Sequence, residues 1–212
     1  MRIKHIVVGM VQTNCYIVTN EETKECVIID PGASAKKLVK QIQEDNVKPV
    51  AVLLTHGHFD HVGAAEDIAK EFDIQIYAHE AEKDTLQDPQ KNVSWMVGCR
   101  EHYQADVYVK DEEVLELAGF EIKVFHTPGH TEGGCCYYMT REDVVFTGDT
   151  LFAQSVGRTD FPGGSMSQIV RSIHTKLLSL NEGGNIETDI MVYPGHGEPT
   201  TIETERIENP YL

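Results

Sequence analysis

THGHFDH, residues 55–61, is the stretch on which the fold reading turns. It places His56, His58, Asp60 and His61 within six positions. A surface loop does not ordinarily gather so many groups able to bind a metal or a proton. His56 and His58 are two apart, so on an extended turn they point the same way. Asp60 and His61 fall at the start of the following helix and point at a neighbouring spot. Neutral imidazole and carboxylate suit Zn²⁺ and similar ions.

The flanks say where this motif sits. VKPVAVLLT, residues 47–55, is a near-continuous apolar run, as a strand buried on both faces requires. HVGAAEDIAKEF, 61–72, reads as a helix and DIQIYAH, 73–79, as a further strand. The motif therefore lies on the turn leaving a buried strand, where open α/β structures build their sites. Upstream, MRIKHIVVGM, NCYIVTN and ECVIID read as strands. SAKKLVKQIQEDN, 34–46, reads as a helix capped by Ser34, with Ala35, Leu38, Val39 and Ile42 on one face. From Asp106 the chain turns β-rich again: ADVYV, EEVLEL, FEIKVFHT, GCCYYMT and DVVFTGD. GSMSQIVRSIHTKLLSL, 164–180, is the next helix, TDIMVYPGH, 188–196, a strand, and TTIETERI a short helix. The order strands, helix, strand occurs once in each half, with no linker. This implies one domain over residues 1–212, built of two mixed sheets with helices outside.

Three later turns resemble partners of the first motif. TPGHT, TGDT and YPGHG each put a candidate ligand, His130, Asp149 or His196, just past a strand and beside a glycine. Glycine permits the tight turn that brings backbone close to a site.

Composition limits the partners. The 212 residues are 41% hydrophobic and 25% charged, enough for a full core. The formal net charge is −16, whereas nucleic-acid binders normally show a basic stripe and anionic membranes attract basic segments. Neither partner is expected. Five cysteines form no CxxC and read as reduced core residues. No signal peptide or membrane span is read, so the expected compartment is the cytoplasm. Oligomeric state is not legible.

HxHxDH, TPGHT, GDT and PGH, in that order from His56 to His196, resemble the metallo-β-lactamase superfamily. The resemblance implies an αββα sandwich of two mixed β-sheets flanked by helices. It implies two divalent metal ions at the edge between the sheets, Zn²⁺ first, with Fe or Mn as alternatives. His56, His58 and His130 would bind one ion and Asp60, His61 and His196 the other, with Asp149 bridging them. Asp60 and Asp149 would then be catalytic through the hydroxide that the ions share.

GDTLFAQSVGRTDFPGGS, 148–165, is similar to the glyoxalase II branch, hydrolases of S-acyl glutathione thioesters, and to its short single-domain subgroup. Full-length members continue into a helical, glutathione-binding domain, which is not expected here. True β-lactamases are less similar, being secreted and commonly using a Cys among the second-metal ligands. Other relatives of the fold set the alternatives: a mononuclear-iron persulfide dioxygenase, or a lactonase or phosphodiesterase.

Charge arithmetic favours an anionic small-molecule thioester. Two divalent ions against Asp60, Asp149 and a hydroxide leave a site of about +1 within an acidic protein. Arg158 either pairs with Asp160 or meets a substrate carboxylate. One of Tyr137 and Tyr138 belongs to the core. His126 reads as a strand-end residue, and His5, His79, His102 and His174 as structural or solvated. Phe59 and the segment around Trp95 are candidate pocket walls.

Overall fold

The computed structural model describes residues 1–181 and 189–212. A first sheet contains β1 (Arg2–Val8), β2 (Thr13–Thr19), β3 (Glu25–Ile29), β4 (Lys48–Leu53), β5 (Gln75–His79) and β6 (Val107–Val109), side by side in that order. It is antiparallel from β1 to β3 and parallel from β3 to β6. The second half supplies β7 (Val114–Leu117), β8 (Phe120–His126), β9 (Cys135–Met139) and β10 (Val144–Gly148). A small hairpin of β11 (Leu151–Phe152) and β12 (Ser155–Val156) follows, then β13 (Met191–Pro194) and β14 (Thr200–Thr201). The second sheet runs β14-β13-β10-β9-β8-β7 and is antiparallel except between β10 and β13.

Period-2 alternation explains the layers. In β2, Tyr16 and Val18 pack toward the second sheet, with Phe120, Ile122, Tyr137 and Phe146 in the same cluster. Cys15 and Ile17, one residue out of phase, pack under α1 (Ala35–Glu44) and α3 (Ala65–Phe72) through Leu38, Ile42 and Ile68. On the far face of the second sheet, Cys136, Val145 and Val192 meet Ile169 of α5 (Met166–Ser172) and Ile202 of α6 (Ile202–Glu208). The result is the expected αββα sandwich. No helix among the described residues is long and apolar enough to cross a membrane.

Several local expectations change. Ser34 does not cap α1 with its side chain: its backbone is left-handed (φ 63°), and its carbonyl instead takes the amides of Lys37 and Leu38. The helix expected over 61–72 is two pieces, α2 (Phe59–Val62) and α3. The break lies where the Ala64 amide donates to Pro31 O (2.9 Å) rather than to the preceding turn. The helix expected over 164–180 changes form after Ser172, through a π turn and a 3₁₀ turn. Thr188, the first residue of the strand expected over 188–196, lies outside the described residues. Cys15, Cys26, Cys135 and Cys136 are buried and unbridged as expected, but Cys99 is exposed. Tyr137 is the core tyrosine and donates its hydroxyl to Leu54 O (2.9 Å).

Candidate metal centre

The C-terminal ends of four strands meet at one edge of the sandwich. The turn after β4 carries His56 and His58, and α2 carries Asp60 and His61. The turns after β8, β10 and β13 carry His130, Asp149 and His196. Close approach of these turns depends on two glycines. Gly148 has φ +49°, and a Cβ there would stand 2.2 Å from Thr55 Oγ1; one at Gly195 would stand 2.4 Å from Asp149 Oδ1.

All seven sequence candidates come together. The ligand atoms of His56, His58 and His130 lie within 4.8 Å of one another, as do those of Asp60, His61 and His196. Asp149 stands between the two groups. Its Oδ2 is 3.4 Å from His130 Nε2, and its Oδ1 is 3.3 Å from His61 Nε2 and 3.7 Å from His196 Nε2. Asp60 Oδ2 is 3.3 Å from His196 Nε2 and 3.6 Å from His61 Nε2.

Hydrogen bonds behind the rings fix which nitrogen faces the centre. His61 Nδ1–H donates to Asp30 Oδ2 (2.8 Å) and His130 Nδ1–H to the Arg158 carbonyl (2.7 Å). Thr55 Oγ1 spends its proton on Asp30 Oδ2 (2.6 Å), so it accepts from His56 Nδ1–H (3.2 Å). The Nε2 atoms of His56, His61 and His130 are thereby turned inward. His58 Nδ1 lies 2.9 Å from His130 Nε2. His56 Nε2, His58 Nε2 and Asp149 Oδ1 are buried without a hydrogen-bond partner, and buried polar atoms so left need an explanation. A metal ion held by these donors would supply it.

The electrostatics agree. Burial holds His56 and His58 well below the ordinary imidazole range, so both stay neutral donors of lone pairs. Burial opposes charge on Asp149 too, yet His61, His130 and His196 keep its carboxyl ionised well below the usual range. His61 is also opposed by burial, but Asp149, Asp60 and Asp30 around it hold it well above the ordinary range. The pocket calls for positive charge.

Three supporting residues escaped the sequence reading. Asp30 orients His61 and Thr55; its position at a strand end before Pro31-Gly32 matches the pattern of the ligand turns, and that was the available signal. Thr13 donates its hydroxyl to Asp60 Oδ2 (2.8 Å). Glu82 is fully buried between the two turns that carry His56, His58 and His130. It accepts from the Gly57 amide (2.8 Å) and the Thr131 hydroxyl (3.1 Å), and the Gly133 amide adds a further bond. Burial pushes its carboxyl up to about 7, against these donors. Glu82→Ala leaves buried donors unpaired and is expected to cost about 2–4 kcal/mol in urea unfolding, with Glu82→Gln, which keeps one acceptor oxygen, costing less. Equal midpoints for alanine variant and wild type would show that the clamp carries no stability.

A cavity of about 450 Å³ opens over the centre. Val11, Phe59, Met96, Val97, Phe152 and Phe161 make it largely apolar, and among the described residues Arg158 is the one lysine or arginine lining it. Phe59 and the segment around Trp95 are walls as expected, although the Trp95 side chain itself does not line the cavity. Arg158 both pairs with Asp160 (3.0 and 2.8 Å) and stacks over Phe161, 4.2 Å from the ring centre. His126 ends β8 and stacks on His79 (4.1 Å, 8°), apart from the seven.

Comparison with known proteins agrees with this geometry. The family model of the metallo-beta-lactamase superfamily matches residues 8–196. Hydroxyacylglutathione hydrolase GloC of Haemophilus influenzae is 38% identical, across 100% of this chain and 98% of its own. The crystal structure of BLEG-1 B3 metallo-beta-lactamase superposes with a TM-score of 0.91 at 40% identity, covering 100% of this chain and 99% of that one. A di-iron-bound form of TTHA1623 superposes with a TM-score of 0.85 at 33% identity, covering 99% and 100%.

Proposed function

This chain belongs to the metallo-beta-lactamase superfamily, and on that premise we propose that it is a dinuclear metal-dependent hydrolase of small anionic thioesters. One observation carries the reading: Asp149 turns its two oxygens to two different groups of three donors. His56, His58 and His130 would hold one ion, Asp60, His61 and His196 the other, and Asp149 would bridge them. Two divalent ions there would supply Lewis acidity for a carbonyl and acidify a water. Zn²⁺ fits the nitrogen-rich donor set, and the di-iron relative makes iron the second candidate.

The chain's own residues do the rest. Thr13 and the histidines keep Asp60 ionised and aimed inward: burial raises its carboxyl, yet His61, His196 and Thr13 bring it to about 2. The apolar walls exclude bulk water from the carbonyl. Arg158 is the cation available for the carboxylate of an anionic substrate. Hydrolysis breaks the C–S bond, forms a C–O bond and releases a carboxylate and a thiol. Among the described residues, no acidic or basic side chain apart from the proposed ligands and Arg158 lines the cavity. A thiolate leaves without help from a general acid, whereas an amide nitrogen requires a proton. That favours the thioester, and likeness to a hydroxyacylglutathione hydrolase supports it.

The likeness to BLEG-1 makes β-lactam hydrolysis the second reading. One preparation tests both. Protein purified without chelator is assayed for metal content and for activity on glutathione thioesters, β-lactams, lactones, phosphodiesters and persulfides. Two ions per chain and thioester turnover above all else are expected. One ion per chain with oxygen consumption on a persulfide would move the chain to the mononuclear dioxygenase class.

A further inference from the structure

A second cavity of about 390 Å³ adjoins the one over the metal centre. Val11, Phe59, Asp60 and Val97 line both, so the two adjoin along these four residues, which form the waist between two arms. The turn between β1 and β2 forms one bank, through Met10 and Val11. The segment ending the 3₁₀ turn Ser94–Val97 forms the other, through Val97 and Cys99, with Ala33 and Tyr103 completing the lining. Met10 and Val11 are exposed, and Met96 and Val97 beside Val11 are exposed too, so the cleft is rimmed by apolar surface of the kind that marks a contact site.

The two arms of the cleft differ in charge. Arg158 lies in the arm over the metal centre, next to Phe161. Among the described residues the second arm has no lysine, arginine or histidine in its lining, and Asp60 is the one carboxylate there. Tyr103 is a neutral phenol there, pushed up to about 12 by burial. A substrate held by its carbonyl at the waist would therefore lay its anionic part toward Arg158 and an uncharged, apolar part in the second arm. A charged glutathionyl arm would find no counter-ion there.

We propose that this groove is an acyl-chain subsite, so that the preferred substrates are thioesters of a medium-length aliphatic acid on an anionic thiol. The proposal rests on the thioesterase reading above. The volume, set against roughly 30 Å³ for one water, has room for a chain of about eight carbons.

The test is a series of glutathione thioesters from acetyl to octanoyl on the metal-loaded protein. Full burial of a methylene is worth about four-fold in binding. An open groove realises about half that free energy, so about two-fold in kcat/KM per added methylene is expected. Cys99→Trp narrows the exposed end and should remove most of the gain for octanoyl while the acetyl substrate keeps most of its rate. A second measurement is independent of turnover. Cys99 is the exposed cysteine among five, and octanamide is expected to slow its alkylation by iodoacetamide where acetamide does not. A flat chain-length series, or equal alkylation rates with octanamide and acetamide, would overturn the subsite. No thioester turnover at any length, with octanamide still protecting Cys99, would overturn the thioesterase reading and leave the apolar groove standing.

Discussion

Asp149→Ala is expected to lower kcat/KM for thioester hydrolysis by about 10³ or more, the scale of losing a charge-stabilising group at a reacting centre. The loss should exceed that of His196→Ala. Asp149 faces His130 with one oxygen and His61 and His196 with the other, whereas His196 belongs to one group of donors. Without the carboxylate, both proposed ions would lose a ligand and the negative charge between the two donor groups would be gone. His61, held well above its ordinary range by burial's opponents Asp149, Asp60 and Asp30, also loses one of its partners. Elemental analysis should find both ions depleted in Asp149→Ala and one in His196→Ala. Equal metal retention and equal turnover in the two variants would show that Asp149 does not bridge.

The second large effect belongs to a residue that touches no proposed ion. Asp30 accepts from the Thr55 amide (2.8 Å), the Thr55 hydroxyl (2.6 Å) and His61 Nδ1–H (2.8 Å), at a site 1% exposed. Asp30→Ala leaves all three donors unpaired, and each buried donor costs about 1–3 kcal/mol. It also frees His61 to rotate and Thr55 to release His56. Partners behind metal-binding histidines are typically worth about 10–100-fold in metal affinity. Chelator competition should therefore show weaker metal binding, and thermal denaturation a lower midpoint, with Asp30→Asn intermediate because one acceptor oxygen remains. Unchanged affinity in the alanine variant would mean that His61 is positioned by its packing alone.

The seven candidate ligands were legible because chemistry and punctuation coincide. Each follows a hydrophobic run with strand periodicity, and five of the seven stand beside a glycine that has little reason to be there unless backbone comes close. The sandwich was legible from the succession of strands and helices together with the family resemblance; which way Tyr16 and Cys15 face in β2 was not, because that strand is buried along its whole length. Glu82 was not, because an isolated glutamate in a polar stretch has no local signature; its role arises from the two glycine turns that close around it. The break between α2 and α3 was hidden likewise. Helical periodicity runs through Gly63 and Ala64, and it is Pro31, distant in sequence, that claims the Ala64 amide. Ser34 shows the converse limit: a residue of the right type stands at the right place, but its left-handed backbone turns the hydroxyl away.

His196 extends from a strand of the second sheet, yet its turn is fastened to the first. The Asn14 amide donates to Gly195 O (2.8 Å), and Asn14 Nδ2 donates to Pro194 O (3.0 Å) and Gly197 O (2.8 Å). The Tyr16 hydroxyl donates to Pro194 O (2.6 Å), so residues 178 apart in sequence are joined. Contacts of such separation form late, since the intervening chain must first be organised. During synthesis the six other donors leave the ribosome well before Pro194, and the bonds that Asn14 and Tyr16 make to residues 194–197 wait until the distal segment arrives. The donor group of Asp60, His61 and His196 is thus complete only once the distal segment has docked on β2, and any ion it holds would depend on that docking.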